Sequence, residues 1–176
     1  MTVFFLIRHG ETDWALNEKY KLKGASRDLP CLTENGTREA NEVSKDHRLK
    51  KAEIILSSPY TRALQTSAII SKNINLDIIV EFDLREWQPD LNFMIKNQYE
   101  LKSTIEDYEK NKGVYPAGIS KRWESKELLS NRANNVLRRY LDYKYVIVVT
   151  HKQVIKTWIN TIRIDHCFIN VLKSVQ

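Results

Sequence analysis

Val3-Phe4-Phe5-Leu6-Ile7 is an unbroken apolar run that stops at Arg8-His9-Gly10. Two later runs have the same form. Ile54-Ile55-Leu56 ends in Ser57-Ser58-Pro59 with Arg62 just beyond, and Val146-Ile147-Val148-Val149 ends in Thr150-His151. Short continuous apolar runs bounded by polar turns suit strands covered on both faces, as in parallel sheets. The pattern predicts strands over 3–8, 53–57 and 145–150, with another over 77–80. Helical signals fall between them. Thr33 is a good N-cap with Glu34 in the first turn, opening a helix to about Leu49. Pro59, read as an N1-like position, starts a helix to about Ser71. Leu128, Leu129, Ala133, Val136, Leu137 and Tyr140 recur at helical spacing and predict an amphipathic helix from Ser125 to about Leu141. A further helix is expected from near Lys152, and residues 161–176 are expected to add a last edge strand.

Two segments lack such periodicity. The chain from the first strand to about Leu32 reads as a polar, lysine-rich loop. Residues 87–123 are punctuated by Pro89, Gly113, Pro116 and Gly118. A helix is expected at 92–110, and the whole segment is expected to fold over the sheet edge as a cap. The order of elements predicts a single domain over 1–176, α/β in class. It would be a three-layer α-β-α sandwich with a mostly parallel central sheet. In open α/β sheets, ligands bind outside the carboxyl ends of the strands. Two histidines and two arginines are therefore predicted to converge on one sheet edge. That combination suits a phosphoryl group, with cations to hold its oxygens and an imidazole to attack it. Gly10 directly follows the proposed nucleophile, where a missing side chain would let the backbone approach a ligand closely.

Composition narrows the setting. The 176 residues are 42% hydrophobic and 28% charged, which fits a soluble globular chain rather than a disordered one. No apolar run is long enough to span a bilayer, and Arg8 and His9 interrupt the one apolar stretch near the N-terminus, so no signal peptide is expected. Cys31 and Cys167 make neither a metal-ligand spacing nor a disulfide framework, and a cytoplasmic location is expected. The net charge of +6 favours anionic partners without saying which. The lysines are spread along the chain, and no nucleic-acid-binding motif accompanies them. A small phosphorylated substrate is the partner expected, with no nucleic acid and no membrane.

The motifs resemble those of the histidine phosphatase superfamily, the phosphoglycerate mutase-like family. Arg8-His9-Gly10-Glu11-Thr12 looks like its opening motif and Leu32-Thr33-Glu34-Asn35-Gly36 like its first helix start. Ser57-Ser58-Pro59-Tyr60-Thr61-Arg62-Ala63-Leu64-Gln65-Thr66 is very similar to its second motif. Leu84-Arg85-Glu86 resembles the segment holding its acid, and Val149-Thr150-His151 its closing motif. One Arg-His-Gly tripeptide is a weak signal, whereas five ordered motifs at strand ends and helix starts are a strong one.

The resemblance implies a phosphoglycerate mutase-like fold and a phosphohistidine mechanism. His9 would be the nucleophile, Arg8, Arg62 and His151 would bind phosphoryl oxygens, and Glu86 would donate the proton. The implied activity is hydrolysis of a phosphomonoester, with no metal and no cofactor. A phosphoglycerate mutase and a non-catalytic phosphate-binding protein are the alternatives. The chemistry is consistent with these roles. In-line transfer needs a nucleophile on one side, an acid on the other and neutralised equatorial oxygens between. A carboxyl beside bound phosphate should have a raised pKa, which suits Glu86 as acid and then as base.

The chain also departs from the family pattern. Ala15 follows Trp14 where the family has an asparagine; a two-residue insertion would restore that amide as Asn17, and otherwise the pocket lacks it. Lys23 precedes Gly24 where a neutral hydrogen-bonder is usual, and Lys152 follows His151 where glycine is usual. Asn17, Lys23, Gly24 and Lys152 are therefore the candidate substrate-binding residues. Both lysines would favour a second anionic group on the substrate, unless they turn to solvent. Glu11, Glu34, Ser57 and Ser58 are expected to be structural or capping, and His47 and His166 to be bystanders. Trp87 and Trp123 could line the pocket or pack beneath the cap.

Overall fold

A computed structural model describes residues 1–118, 120–161 and 164–174. The strands are β1 (Val3–Arg8), β2 (Ile54–Ser57), β3 (Ile78–Val80), β4 (Tyr145–Thr150) and β5 (Ile169–Lys173). They form one sheet in the order β3-β2-β4-β1-β5. The pairs β2–β3, β2–β4 and β1–β4 are parallel, and β5 runs antiparallel along the outer edge of β1. This is the mostly parallel α/β sheet that the apolar runs predict. Ile162, Arg163, Val175 and Gln176, within the stretch expected to carry the last strand, lie outside the described residues.

Alternation explains why the runs have no polar gaps. Phe4, Leu6, Val146, Val148, Ile54 and Leu56 point to one face and join Leu137, Tyr140 and Ile155. Phe5, Ile7, Ile147, Val149 and Ile55 point to the other and join Ala63 and Ile70. Both faces of the central strands are covered, so neither register of the alternation can be polar.

The helices are α1 (Ala15–Lys19), α2 (Glu34–Val43), α3 (Thr61–Ile74), α4 (Gln98–Lys110), α5 (Lys126–Arg138) and α6 (Lys152–Trp158). Several differ from the sequence expectation. The stretch read as a loop up to Leu32 contains α1 and a 3-10 turn over Gly24–Asp28. Helix α2 stops at Val43, short of Leu49. There Ser44 bonds back to the Asn41 carbonyl, and Asp46 accepts from the Arg48 backbone, local bonds that compete with the helix. Leu49 is still buried, in a separate 3-10 turn. Pro59 is not at N1. Tyr60 is the N-cap of α3, so Arg62 falls in its first turn, and the helix runs on to a left-handed Asn75. Helix α4 begins at Gln98 rather than 92, capped by Asn97, and α5 ends at Arg138.

Residues 87–123 are anchored by aromatic packing. Trp87 and Trp123 are buried with Leu129, Ala133 and Val154 of α5 and α6. Trp87 Nε1 donates to the Glu124 carbonyl at 2.7 Å and Trp123 Nε1 to Asp107 Oδ2 at 2.9 Å. Among the described residues, no helix is long and apolar enough to cross a membrane.

Candidate active site

Backbone bonds between neighbouring strand ends gather the candidate residues. The His9 N–H donates to the Thr150 carbonyl at 3.0 Å, and the Ser58 N–H to Val149 at 3.0 Å. Thr150 Oγ1 donates to the Leu84 carbonyl at 2.6 Å, drawing the Glu86 segment to the same edge. The first turn of α3 then carries Arg62 over the end of β1.

His9 is 4% exposed, and its Nδ1 lies 2.8 Å from the Gly10 carbonyl. A carbonyl only accepts, so Nδ1 carries the proton and Nε2 the lone pair. Arg62 Nε donates to that Nε2 at 3.3 Å. Burial first, and the Arg62 charge second, hold the His9 pKa well below the imidazole range. The buried His151 ring is centred 5.0 Å from His9. Its pKa is likewise well below normal, from burial and from His9. His151 Nε2 pairs with Ser58 Oγ at 2.7 Å, leaving a buried Nδ1 with no partner among the described residues. Ser58 also accepts from the Tyr60 N–H at 3.3 Å, so it caps and holds His151 at once.

Arg62 is 2% exposed and is held from three sides. Its Nη1 donates to Asp28 Oδ1 at 3.0 Å, and Trp14 and Tyr60 lie with ring centroids 5.0 Å from its guanidinium carbon. Burial raises the Asp28 pKa in spite of Arg62. Arg8 Nη1 donates to the Ile164 carbonyl at 3.1 Å, while its Nε is buried with no partner among the described residues. Glu86 Oε1 accepts from the Trp87 N–H at 2.9 Å. Burial nevertheless pushes its carboxyl pKa up, outweighing the Trp87 bond.

A cleft of about 770 Å³ opens over these groups. Arg8, His9, Asn17, Gly24, Arg62 and Glu86 all line it. His151 is fully buried beside His9 and does not itself line the cleft. Lys23 is exposed on an adjoining smaller cavity, and Lys152 is exposed outside both. Trp87 lines the cleft, and Trp123 is fully buried beneath it. Gly10 has a packing role that the sequence did not suggest: a Cβ there would lie 2.5 Å from the Gly36 carbonyl oxygen, so the glycine admits the start of α2.

Four participants were not foreseen. Asp28 lies in a 3-10 turn that the sequence presents as loop. His166, expected to be a bystander, has its ring centred 5.7 Å from His9. Arg132 and Glu124 form a buried bidentate pair at 2.6 and 2.9 Å, with Arg132 also donating to the Arg85 and Glu86 carbonyls. The Glu124-Ser125 dipeptide before α5 was the one sequence signal for that pair.

Comparison with known proteins agrees with this geometry. Residues 4–166 match the family described as "Histidine phosphatase superfamily (branch 1)". The "Uncharacterized phosphatase PhoE" of Bacillus subtilis (strain 168) is 38% identical over 86 residues, 49% of this chain and 42% of that protein. That match spans less than half of the relative. The "Probable phosphoglycerate mutase GpmB" of Proteus mirabilis (strain HI4320) is 32% identical over 158 residues, covering 86% of this chain and 70% of the relative. The solved structure of Bacillus stearothermophilus YhfR aligns with a TM-score of 0.68 at 28% identity, over 89% of this chain and 77% of that one. With the family's motifs folded onto one sheet edge, this chain belongs to branch 1 of the histidine phosphatase superfamily and is an enzyme of that kind.

Proposed function

We propose that this chain hydrolyses phosphomonoesters of small phosphorylated metabolites through a phosphohistidine at His9. One observation carries the reading: a His9 Nε2 lone pair, fixed by the Nδ1 bond to Gly10 and flanked by Arg62, on a cleft that Glu86 also lines. His9 Nε2 attacks phosphorus, the bond to the ester oxygen breaks, and Glu86 gives that oxygen its proton. Glu86, now a carboxylate, takes a proton from water as the water attacks phosphorus. The P–N bond breaks, and neutral His9 and phosphate are released.

The other groups have supporting roles. Arg8 and Arg62 neutralise the equatorial oxygens, with charges that cannot be lost by deprotonation. When Ser58 Oγ donates to His151 Nε2, the remaining imidazole proton is on Nδ1, a buried donor for a phosphoryl oxygen. Burial lowers the His9 pKa, which favours the neutral nucleophile, and raises the Glu86 pKa, which favours the protonated acid. Asn17 and Gly24 belong to the rim that receives the leaving group. The exposed Lys152 has no role in this reading. Residues 87–123 act as the cap, supplying much of the cleft wall.

The mutase names of several relatives favour a second reading, transfer between positions of a phosphoglycerate. Trp14, Leu91, Phe93, Ile95, Leu101 and Ile105 on the cleft walls are poorly matched to a body as small and anionic as glycerate. Rapid quench with a radiolabelled phosphate ester tests the proposal. An acid-labile, base-stable phosphoryl adduct on His9 is expected, followed by phosphate release. Wild-type turnover in His9→Ala would overturn it. Interconversion of phosphoglycerates without net release would establish the mutase instead.

A further inference from the structure

A second cavity of about 300 Å³ adjoins the cleft, and Asn17, Arg27 and Gln98 line both. Its character is different. Lys21, Lys23, Arg27 and Lys96 bring four cations to it, against the single carboxylate of Glu18. None of the four takes part in an ion pair among the described residues. Four like charges set against one carboxylate still repel one another, and an anion placed among them relieves that repulsion. At the junction, Asn17 Oδ1 is buried with no hydrogen-bond partner among the described residues, while its Nδ2 reaches the Arg27 carbonyl at 3.4 Å. An unsatisfied buried acceptor costs free energy that a hydroxyl or N–H donor on a ligand would recover.

The backbone presents these side chains in a fixed arrangement. Lys21 and Gly24 both have positive φ, 52° and 55°, so the segment between them turns tightly. Phe93 packs against Gly24, with its Cβ 3.5 Å from where a Gly24 Cβ would be. Lys96 follows from the other side, its N–H bonded to Glu100 Oε2 at 2.8 Å. Phe93 and Leu91 line the cleft but not the basic cavity, and the cleft continues into that cavity through Asn17, Arg27 and Gln98.

We infer that Lys21, Lys23, Arg27 and Lys96 form a distal anion subsite, and that the preferred substrate is a phosphomonoester with an apolar spacer and a second anionic group at its far end. The inference rests on the phosphatase reading of the main cleft. A phosphomonoester would sit with its reacting phosphoryl group at His9, its spacer along Leu91, Phe93 and Leu101, and its far phosphate or carboxylate among the lysines. Lysine ammonium groups on flexible stems can meet either anion without strict geometry.

The test uses matched alkyl esters that differ only at the far end. Hexyl phosphate, 1,6-hexanediol bisphosphate and 6-phosphooxyhexanoate share leaving group and spacer, and propane and nonane homologues vary the reach. At least one anionic compound is expected to exceed its alkyl phosphate in kcat/KM by about tenfold, mostly through KM. The advantage should shrink in high salt, because the lysines are exposed. In Lys21→Gln/Lys96→Gln it should fall to under about threefold, with hexyl phosphate turnover little altered. Preference for the bisphosphate or for the carboxylate would identify which anion the subsite takes. No advantage at any spacer length, or one that survives the double variant, would overturn the inference. Failure to hydrolyse even hexyl phosphate would instead count against the phosphatase reading.

Discussion

Arg132 Nη2 donates to the Glu86 carbonyl at 3.1 Å while the same guanidinium grips the Glu124 carboxylate at 2.6 and 2.9 Å. The backbone of the proposed acid is thereby fastened to α5. Arg132 touches no reacting atom; it is a positioning residue. Both partners are at most 9% exposed. Removing one charge would leave the other buried and unpaired, at a cost of about 3–5 kcal/mol. Arg132→Met should therefore lose stability on that scale in denaturant unfolding. Arg132→Met/Glu124→Met should recover most of it and still show reduced kcat on alkyl phosphates with a displaced alkaline limb. Wild-type kcat and pH profile in the double variant would leave Arg132 with a packing role only.

The pH profile of kcat/KM follows from two opposite shifts. His9 must be neutral to attack, and its lowered pKa moves the acid limb below the ordinary imidazole range. Glu86 must be protonated to donate, and its raised pKa moves the alkaline limb above the ordinary carboxyl range. Activity is thus lost as pH falls through the His9 value and as it rises through the Glu86 value. Glu86→Gln should abolish the alkaline limb. An unaltered limb in that variant would assign it to another group.

Leaving-group chemistry separates Glu86 from its neighbours. Glu86→Gln should slow alkyl phosphates by on the order of 10²–10⁴-fold and nitrophenyl phosphate far less, since nitrophenolate departs without a proton. Glu81 and Asp83 do not line the cleft and are poorly placed to substitute. Glu81 is held by Tyr140 and Arg139, and Asp83 by Arg85. Equal losses on both ester types would move the proton-donor role away from Glu86.

Arg62 faces the nucleophile and is braced by Asp28, so its geometry matters as much as its charge. Arg62→Lys should lower kcat by on the order of 10²–10³-fold, because an ammonium cannot reproduce the planar fork. A pure KM increase in steady-state kinetics would show that Arg62 binds phosphate without stabilising the transition state.

Gly10 and Gly36 are packed too closely for any side chain. A Cβ on Gly36 would meet the Glu11 carbonyl oxygen at 2.1 Å, as one on Gly10 would meet Gly36 at 2.5 Å. Backbone cannot move aside as a flexible side chain can. Gly36→Ala should destabilise the fold by about 1–3 kcal/mol and displace His9 with it. A melting temperature and kcat equal to wild type would contradict that packing.

The strands and the histidine and arginine candidates were legible because their signals are local. Unbroken apolar runs report burial on both faces whatever surrounds them, and Arg8, His9, Arg62 and His151 follow strand ends or open helices within a few residues, whereas Glu86 was reached only through the resemblance of Leu84-Arg85-Glu86 to a family motif. Thr33 was readable as a cap for the same reason, since its hydroxyl accepts from the Gly36 N–H three residues on, and Ser125, read only as a helix start, caps the Leu128 N–H in the same way. Helix ends were less so: α2 stops where Ser44 and Asp46 bond their own backbone, a competition that apolar spacing does not register.

What tertiary structure alone decided was which distant residues meet. Asp28 and Arg62 are 34 positions apart, Arg132 and Glu86 46, and His166 reaches His9 from the far end of the chain. No spacing rule connects such pairs, because their contact depends on how α5, the 3-10 turn and the segment before β5 dock on the sheet. The same holds for Lys23 and Lys152. The sequence presents both as lysines beside motif positions, and only the folded chain puts one on a basic cavity and the other in solvent. Local patterns determined the scaffold, since burial and capping are properties of neighbours in the chain, and the resemblance of its motifs named the candidate reacting groups. Charge pairing and cleft shape were decided by contacts between elements far apart in it.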